Sequence, residues 1–396
     1  MQSIKDLNFN GKTVIIRVDF NVPLNDQLQV TDDTRIRGAL PTIQKFLDDG
    51  AKIILMSHLG RPKGKVVPDL SLAPVAKELS KLIGKEVFFC SKPLGKEVQE
   101  AASKLQNGDI MLLENLRFYP GETKGDEKLA KQLADLAEVY VNDAFGTAHR
   151  RHASTAVIAE FFPNAKYFGL LMEHEIVNLE IALNTKNAPY TAVIGGAKVS
   201  SKIDIIRNLI PKVDNMIIGG GMSFTFLKAL GGEIGSSLYE EDKLELAREI
   251  LDEMILNGVN IYLPTDVVAA DAFSNDANRK IVKSNAIPDG WMGLDIGPES
   301  QNRFAMAVNS SRMILWNGPM GVFEMDNFSQ GTKAIAISVA ASTSSGAFSA
   351  IGGGDSVAAI NKYELADMLT YVSTGGGAML EYLEGKTLPG IQAIKE

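Results

Sequence analysis

Cationic and imidazole side chains recur at or beside the ends of short apolar runs in the first part of this 396-residue chain: Arg17, Arg35, His58, Arg61, Arg117, His149 and Arg150. Like charges gathered on one rim repel unless an anion joins them, so the set reads as a site for a small anion or as a solvated basic rim. Arg17 and Asp19 lie on the same polar face of their run and can alternatively form a structural ion pair. Three of the four histidines, His58, His149 and His152, fall in this region. They lack metal-ligand spacing and read as hydrogen-bond donors.

The second half offers glycines where the first offers cations. Gly195-Gly196, Gly219-Gly220-Gly221, Gly352-Gly353-Gly354 and Gly375-Gly376-Gly377 each follow an apolar run, as does Asn317-Gly318-Pro319. Glycines between a strand and a helix leave backbone N–H groups free at the positive end of the helix dipole, where phosphate binds. Asp355, directly after Gly354, would repel phosphate unless a divalent cation lies between them. The alternative is a tight turn with Asp355 or Ser356 as helix N-cap. Lys198 and Lys202, spaced i and i+4 at a predicted helix start, share one face there, and cations so placed call for a polyanion.

The elements that carry these residues alternate. Thr13 to Phe20, Lys52 to Met56, Asp109 to Leu113 and Val139 to Val141 read as strands, with helices predicted over Leu72 to Ile83 and Glu127 to Ala137. The segment Gly346 to Ser349 reads as the end of a buried strand, and Thr191 to Ile194, Met216 to Ile218, Met313 to Trp316 and Thr370 to Val372 as further strands. This rhythm predicts doubly wound parallel sheets, whose ligands sit at the carboxyl ends of the strands. Leu170 to Leu183 reads as one helix joining two halves, closed by Asn184 to Pro189. The expected boundaries are 1–169 for the first domain, 170–184 for the connector, 185–377 for the second domain and 378–396 for a tail.

Composition narrows the functions. A formal charge of −8 argues against nucleic acid or anionic membrane as partner. The lone Cys90, set in an apolar run, reads as a core residue and excludes disulfides. The start, Met1 to Asp6, is neither a signal nor a transit peptide, and no apolar run of about 18 residues occurs, so a cytoplasmic protein is expected. The P-loop, dinucleotide and protein-kinase fingerprints are absent. A small-molecule kinase whose two domains close over their ligands fits both rims. No residue stands out as general base, which suits an acceptor that is already an oxyanion, such as a carboxylate. A non-catalytic anion-binding protein and a dehydrogenase are the other readings.

The runs Val14 to Pro23, His58-Leu59-Gly60-Arg61, Glu114 to Phe118, Asp143 to Arg150, Gly195 to Val199, Trp316 to Pro319 and both late glycine triplets resemble, in order, those of the phosphoglycerate kinase family. The resemblance covers essentially the whole chain. It implies two Rossmann-like domains, with the tail packing back on the first, and reversible Mg²⁺-dependent phosphoryl transfer between ATP and the carboxylate of 3-phosphoglycerate, giving 1,3-bisphosphoglycerate and ADP. Asp19, Asn21, Arg35, His58, Arg61, Arg117 and Arg150 would hold the glycerate. Arg35, Lys198 and the amides of Gly375, Gly376 and Gly377 would act on the transferring group. Gly196, Lys202, Gly220, Gly293, Glu324, Gly353, Gly354, Asp355 and Ser356 would bind nucleotide, with Glu324 near the ribose and Asp355 on Mg²⁺. The partners expected are these small molecules alone, and the protein a monomer.

Overall fold

Val14, Ile16 and Val18 alternate with Ile15 and Arg17, yet all five are buried, because the strand they form is covered on both faces. That strand is the centre of the first sheet in a computed structural model that describes residues 2–185 and 187–396. The sheet comprises β1 (Thr13–Val18), β2 (Lys52–Met56), β3 (Val87–Cys90), β4 (Ile110–Leu113), β5 (Val139–Asp143) and β6 (Lys166–Phe168), ordered β3-β4-β2-β1-β5-β6. Every pairing is parallel. Val14, Ile16, Ile53, Leu55, Ile110 and Val141 pack from it against Ile36, Ile43 and Phe46 of the helix Thr34–Asp48. Since β2 and β5 flank β1 on opposite sides, connections diverge at its carboxyl end, and the ligand crevice of such sheets opens there.

The second half holds β7 (Tyr190–Ile194), β8 (Asn215–Ile218), β9 (Glu233–Ile234), β10 (Asn260–Tyr262), β11 (Asp266–Ala270), β12 (Arg279–Lys283), β13 (Ala286–Ile287), β14 (Met292–Ile296), β15 (Met313–Asn317), β16 (Phe348–Gly352) and β17 (Tyr371–Val372). Its main sheet is parallel, in the order β10-β8-β7-β15-β16-β17. Counted along the chain this is 3-2-1-4-5-6, the order of dinucleotide-binding sheets, with the reversal between β7 and β15. An antiparallel sheet, β12-β11-β14, and the small pair β13-β9 are additions that the strand–helix rhythm did not predict. The strand expected to end near Ser349 continues as β16 to Gly352, because Ala350 and Ile351 pair with Leu315 and Trp316.

Two compact units result: 1–177 with 387–396, and 178–386. The division falls inside the helix Leu170–Asn184. Lys186, in the stretch expected to close that helix, and Met1 lie outside the described residues. In the first unit, Thr42 Oγ1 accepts from Leu170 N at 2.8 Å and Asp143 Oδ1 from Met172 N at 3.1 Å, so two otherwise orphaned N–H groups of the helix are satisfied. The expected tail 378–396 is shorter in fact. The helix Gly377–Leu383 stays with the second unit, where Asn208 donates to Leu383 O at 2.7 Å. Only 387–396 groups with the first unit, and Gly390 N donates to Ala148 O at 2.8 Å.

Candidate active site

At the carboxyl end of β1 the chain passes from buried Arg17 to Asp19 and Asn21. Asp19 Oδ2 accepts from Arg35 at 2.9 Å, so the helix Thr34–Asp48 delivers its arginine to the strand end. Asn21 Oδ1 accepts from Gly60 N at 2.8 Å, and Arg117 donates to Gly60 O at 2.9 Å, fixing the loops after β2 and β4 to one another. Arg117 Nε is buried without a hydrogen-bond partner. Burial, then the neighbouring Arg17, lowers the pKa of its guanidinium. Arg61 and Arg150 are exposed. His58 is buried, and burial, reinforced by Arg17, Arg117 and Arg35, holds its imidazole well below the ordinary value. His152 is pushed down to about 4 by burial and the same two cations, Arg17 and Arg117. The cluster therefore concentrates guanidinium charge around neutral imidazoles, and a half-buried guanidinium with an idle, buried Nε–H invites an anion.

In the second unit the reversal between β7 and β15 is closed by backbone. Gly195 N donates to Asn317 O at 2.9 Å and Gly196 N to Pro319 O at 3.1 Å. Gly318 sits at φ +105, and a Cβ there would overlap the carbonyl of Gly195. Beside this crossing lies a cavity of about 420 Å³ that brings together Gly196, Gly220, Gly293, Glu324 and Asp355. Its walls include Phe224, Leu238, Phe273, Met292 and Val322. The Phe224 ring fills the place a Cβ would take on Gly293. A flat apolar slot, with a carboxylate and glycine backbone at its edges, suits a purine base and its sugar. The larger opening, of about 770 Å³ near Arg248 and Arg303, contains none of the expected nucleotide residues.

A model of the family described as phosphoglycerate kinase matches residues 4–386. The chain belongs to the phosphoglycerate kinase family. It is 42% identical to a phosphoglycerate kinase from Coxiella burnetii, over 100% of this chain and 98% of that one, with a TM-score of 0.91. A phosphoglycerate kinase from Pyrococcus horikoshii OT3 is 33% identical over the same shares, with a TM-score of 0.83. Membership makes the chain a phosphotransferase with a carboxyl group as acceptor.

Several residues lie elsewhere than the sequence predicts. Arg17 is not a rim ligand, and its pair with Asp19 does not form. Its side chain turns into the protein, donating to Ser154 Oγ, Val18 O and His58 Nδ1, while Asp19 takes Arg35. Lys198 and Lys202 do not share a helix face. Lys198 is exposed on extended backbone, the short turn Val199–Ser201 intervenes, and Lys202 precedes the helix Ile203–Leu209. Lys202 donates to Asn317 Oδ1, and burial lowers its pKa against the opposing pull of Asp355. The N-cap of the helix Gly354–Lys362 is Gly353, at φ +89, and neither Asp355 nor Ser356. Ser356 is buried, accepting from Gly318 N at 2.6 Å, and Asp355 is exposed. Gly375 N donates to Ser373 Oγ at 3.0 Å, and Gly376, at φ +50, precedes the helix Gly377–Leu383.

Ser154, Glu122 and the apolar slot residues carried no signal of their own in the sequence, apart from Phe224 lying three residues after the triple glycine. No helix among the described residues is long and apolar enough to cross a membrane. Among the described residues no three His, Cys, Asp or Glu gather where they could hold a metal ion. The exposed Asp355 carboxylate, beside N–H groups that lack carbonyls one turn back, nevertheless suits Mg²⁺, which takes one or two carboxylates and completes its shell with phosphate oxygens and water.

Proposed function

We propose that the enzyme transfers a phosphoryl group reversibly between MgATP and the carboxylate of 3-phosphoglycerate, acting as a cytoplasmic monomer on small molecules alone. The observation that carries the nucleotide half is the single cavity shared by Gly196, Gly220, Gly293, Glu324 and Asp355, which come from five separate stretches of the chain. The base lies in the slot against Phe224 and Gly293, the sugar near Glu324, and the phosphates run toward Gly353, Gly354, Lys202 and the buried Ser356. Asp355 holds Mg²⁺, which when bound neutralises phosphate charge. In the first unit Arg61, Arg117 and Arg150 take the glycerate with His58, and Asp19 and Asn21 orient it. Arg35 and Lys198 offset the charge that develops on the transferring group, supported by amides of Gly375, Gly376 and Gly377. Closure about the helix Leu170–Asn184 brings the ligands in line.

A carboxylate acceptor is already ionised, so catalysis reduces to alignment and charge neutralisation, and no general base is required. A coupled assay with ATP and 3-phosphoglycerate tests this reading, with Mg²⁺ titrated into the wild type and Asp355→Ala. ADP release dependent on both substrates, with the variant needing much more Mg²⁺, is expected. Binding of both ligands without ADP release removes the kinase assignment, and an unchanged metal requirement removes Asp355 from the metal.

A further inference from the structure

Arg17 is among the largest fully buried side chains of the molecule, and the reaction just described gives it no task. We infer that Arg17 is a positioning residue that fixes His58 as its Nε2–H tautomer, through a buried chain of hydrogen bonds anchored at Glu122. The inference rests on reading His58 as a glycerate contact.

The chain has a direction that follows from donors and acceptors alone. A guanidinium donates and never accepts. Arg17 NH2 lies 3.1 Å from His58 Nδ1, so Nδ1 is the acceptor and the imidazole proton resides on Nε2. Arg17 Nε donates to Ser154 Oγ at 2.8 Å, and NH1 donates to Val18 O. Ser154 in turn donates its one hydroxyl proton to Glu122 Oε1 at 2.6 Å and its N–H to Oε2 at 3.1 Å. Arg17, Ser154 and Glu122 are all fully buried. The competing arrangement, Nδ1–H toward Asp19 Oδ1, spans 3.9 Å, beyond hydrogen-bond reach. The charged and titratable groups facing His58 are Arg17 from β1, Arg35 from the helix Thr34–Asp48, Arg117 after β4, His152 after β5, and Asp19. Cations outnumber the one carboxylate, which favours a neutral ring. His58 thus supplies an N–H to an anion without adding a further positive charge to a crowded site.

Long-range ¹H–¹⁵N correlation spectra of the labelled full-length protein test this, with the His58 signals assigned by their loss in His58→Gln. The expected wild-type result is a proton on Nε2, a bare Nδ1, and no titration between about pH 5.5 and about pH 8. Arg17→Met should mix the tautomers and let the ring titrate. Its KM for 3-phosphoglycerate, relative to wild type, should then fall roughly fivefold on acidification as a charged donor replaces a neutral one, with kcat changing less. Arg17→Lys, which keeps a donor, should restore the flat profile, a rescue that loss of packing alone does not predict. A wild-type proton on Nδ1, or a wild-type ring titrating near 6.5, overturns the inference even if Arg17→Met does not fold. An unchanged tautomer in Arg17→Met overturns it too. Adding 3-phosphoglycerate should shift the His58 signals; no shift removes the glycerate reading and leaves the tautomer result standing.

Discussion

Lys198 and Arg35 differ in what else they do, and that difference shapes what their loss should show. Lys198 is exposed on extended backbone, whereas Arg35 forms a 2.9 Å ion pair with Asp19. Lys198→Ala should lower kcat roughly 10²-fold and leave unfolding within about 0.5 kcal/mol of wild type. Arg35→Ala should lose as much turnover and also raise KM, because Asp19 is released. Stopped-flow turnover and urea unfolding check both; near-normal turnover in either removes that residue from the transferring group. At this scale the sequence showed which side chains cluster at strand ends, since β1, β2, β4 and β5 deliver them by simple order. It did not show that Arg17 points inward. Alternation along β1 marks Arg17 as polar-face, but a parallel strand covered on both sides has no solvent face. Nor did the i, i+4 spacing of Lys198 and Lys202 survive, because the chain spends Val199–Ser201 on a short turn before the helix begins.

Some strand-end glycines let backbone cross backbone, some, such as Gly219, Gly352 and Gly353, lie against side chains, and some face open space. Gly318 belongs to the first kind, at positive φ against the Gly195 carbonyl. Gly354 belongs to the last, with nothing within 4 Å of a Cβ placed on it. Gly318→Ala should therefore destabilise the second unit by roughly 3 kcal/mol. Gly354→Ala should leave stability within about 0.5 kcal/mol yet weaken ATP binding, if phosphate lies against that amide. Both tryptophans, Trp291 and Trp316, lie in this unit, and Trp316 Nε1 donates to Gly318 O at 2.7 Å, so intrinsic fluorescence follows that turn during unfolding. Equal destabilisation by the two substitutions would contradict the division. The main strands were legible because apolar runs ending in glycine or polar residues repeat. The sheet β12-β11-β14 was not, since Arg279–Lys283 reads Arg-Lys-Ile-Val-Lys, without the two-residue alternation of a strand and with no buried residue, and β9 and β13 are two residues each. Such segments acquire their structure from pairing with one another, and single-strand patterns do not announce it.

Each unit of the whole molecule carries one buried carboxyl that resists ionisation: Asp143 in the first, pushed up to about 7 by burial, and Asp295 in the second, likewise about 7. In the unfolded chain such groups ionise near 3.8. Between those values the unfolded state binds fewer protons than the folded one, so this contribution lowers stability as pH rises and levels off above about 7, by roughly 4 kcal/mol per residue at most. Asp143→Asn and Asp295→Asn should flatten the decline between about pH 4.5 and about pH 7.5, each in its own unit. Urea midpoints by tryptophan fluorescence for the second unit, and by hydrogen exchange of β1 and β5 amides for the first, check it. Parallel wild-type and variant profiles would refute the assignment.

The segment 387–396 that completes the first unit carries a further consequence. Asn142 donates across 248 residues of sequence to Gly390 O, close to where Gly390 N meets Ala148. A ribosome emits β5 long before it emits the partner that β5 awaits. The entire second unit is polymerised in between, so the earlier-made half stands unfinished while the later-made half can already mature. Order of manufacture and order of completion are thus reversed, and the arginine-bearing loop after Ala148 gains this support only after the whole second unit has been made.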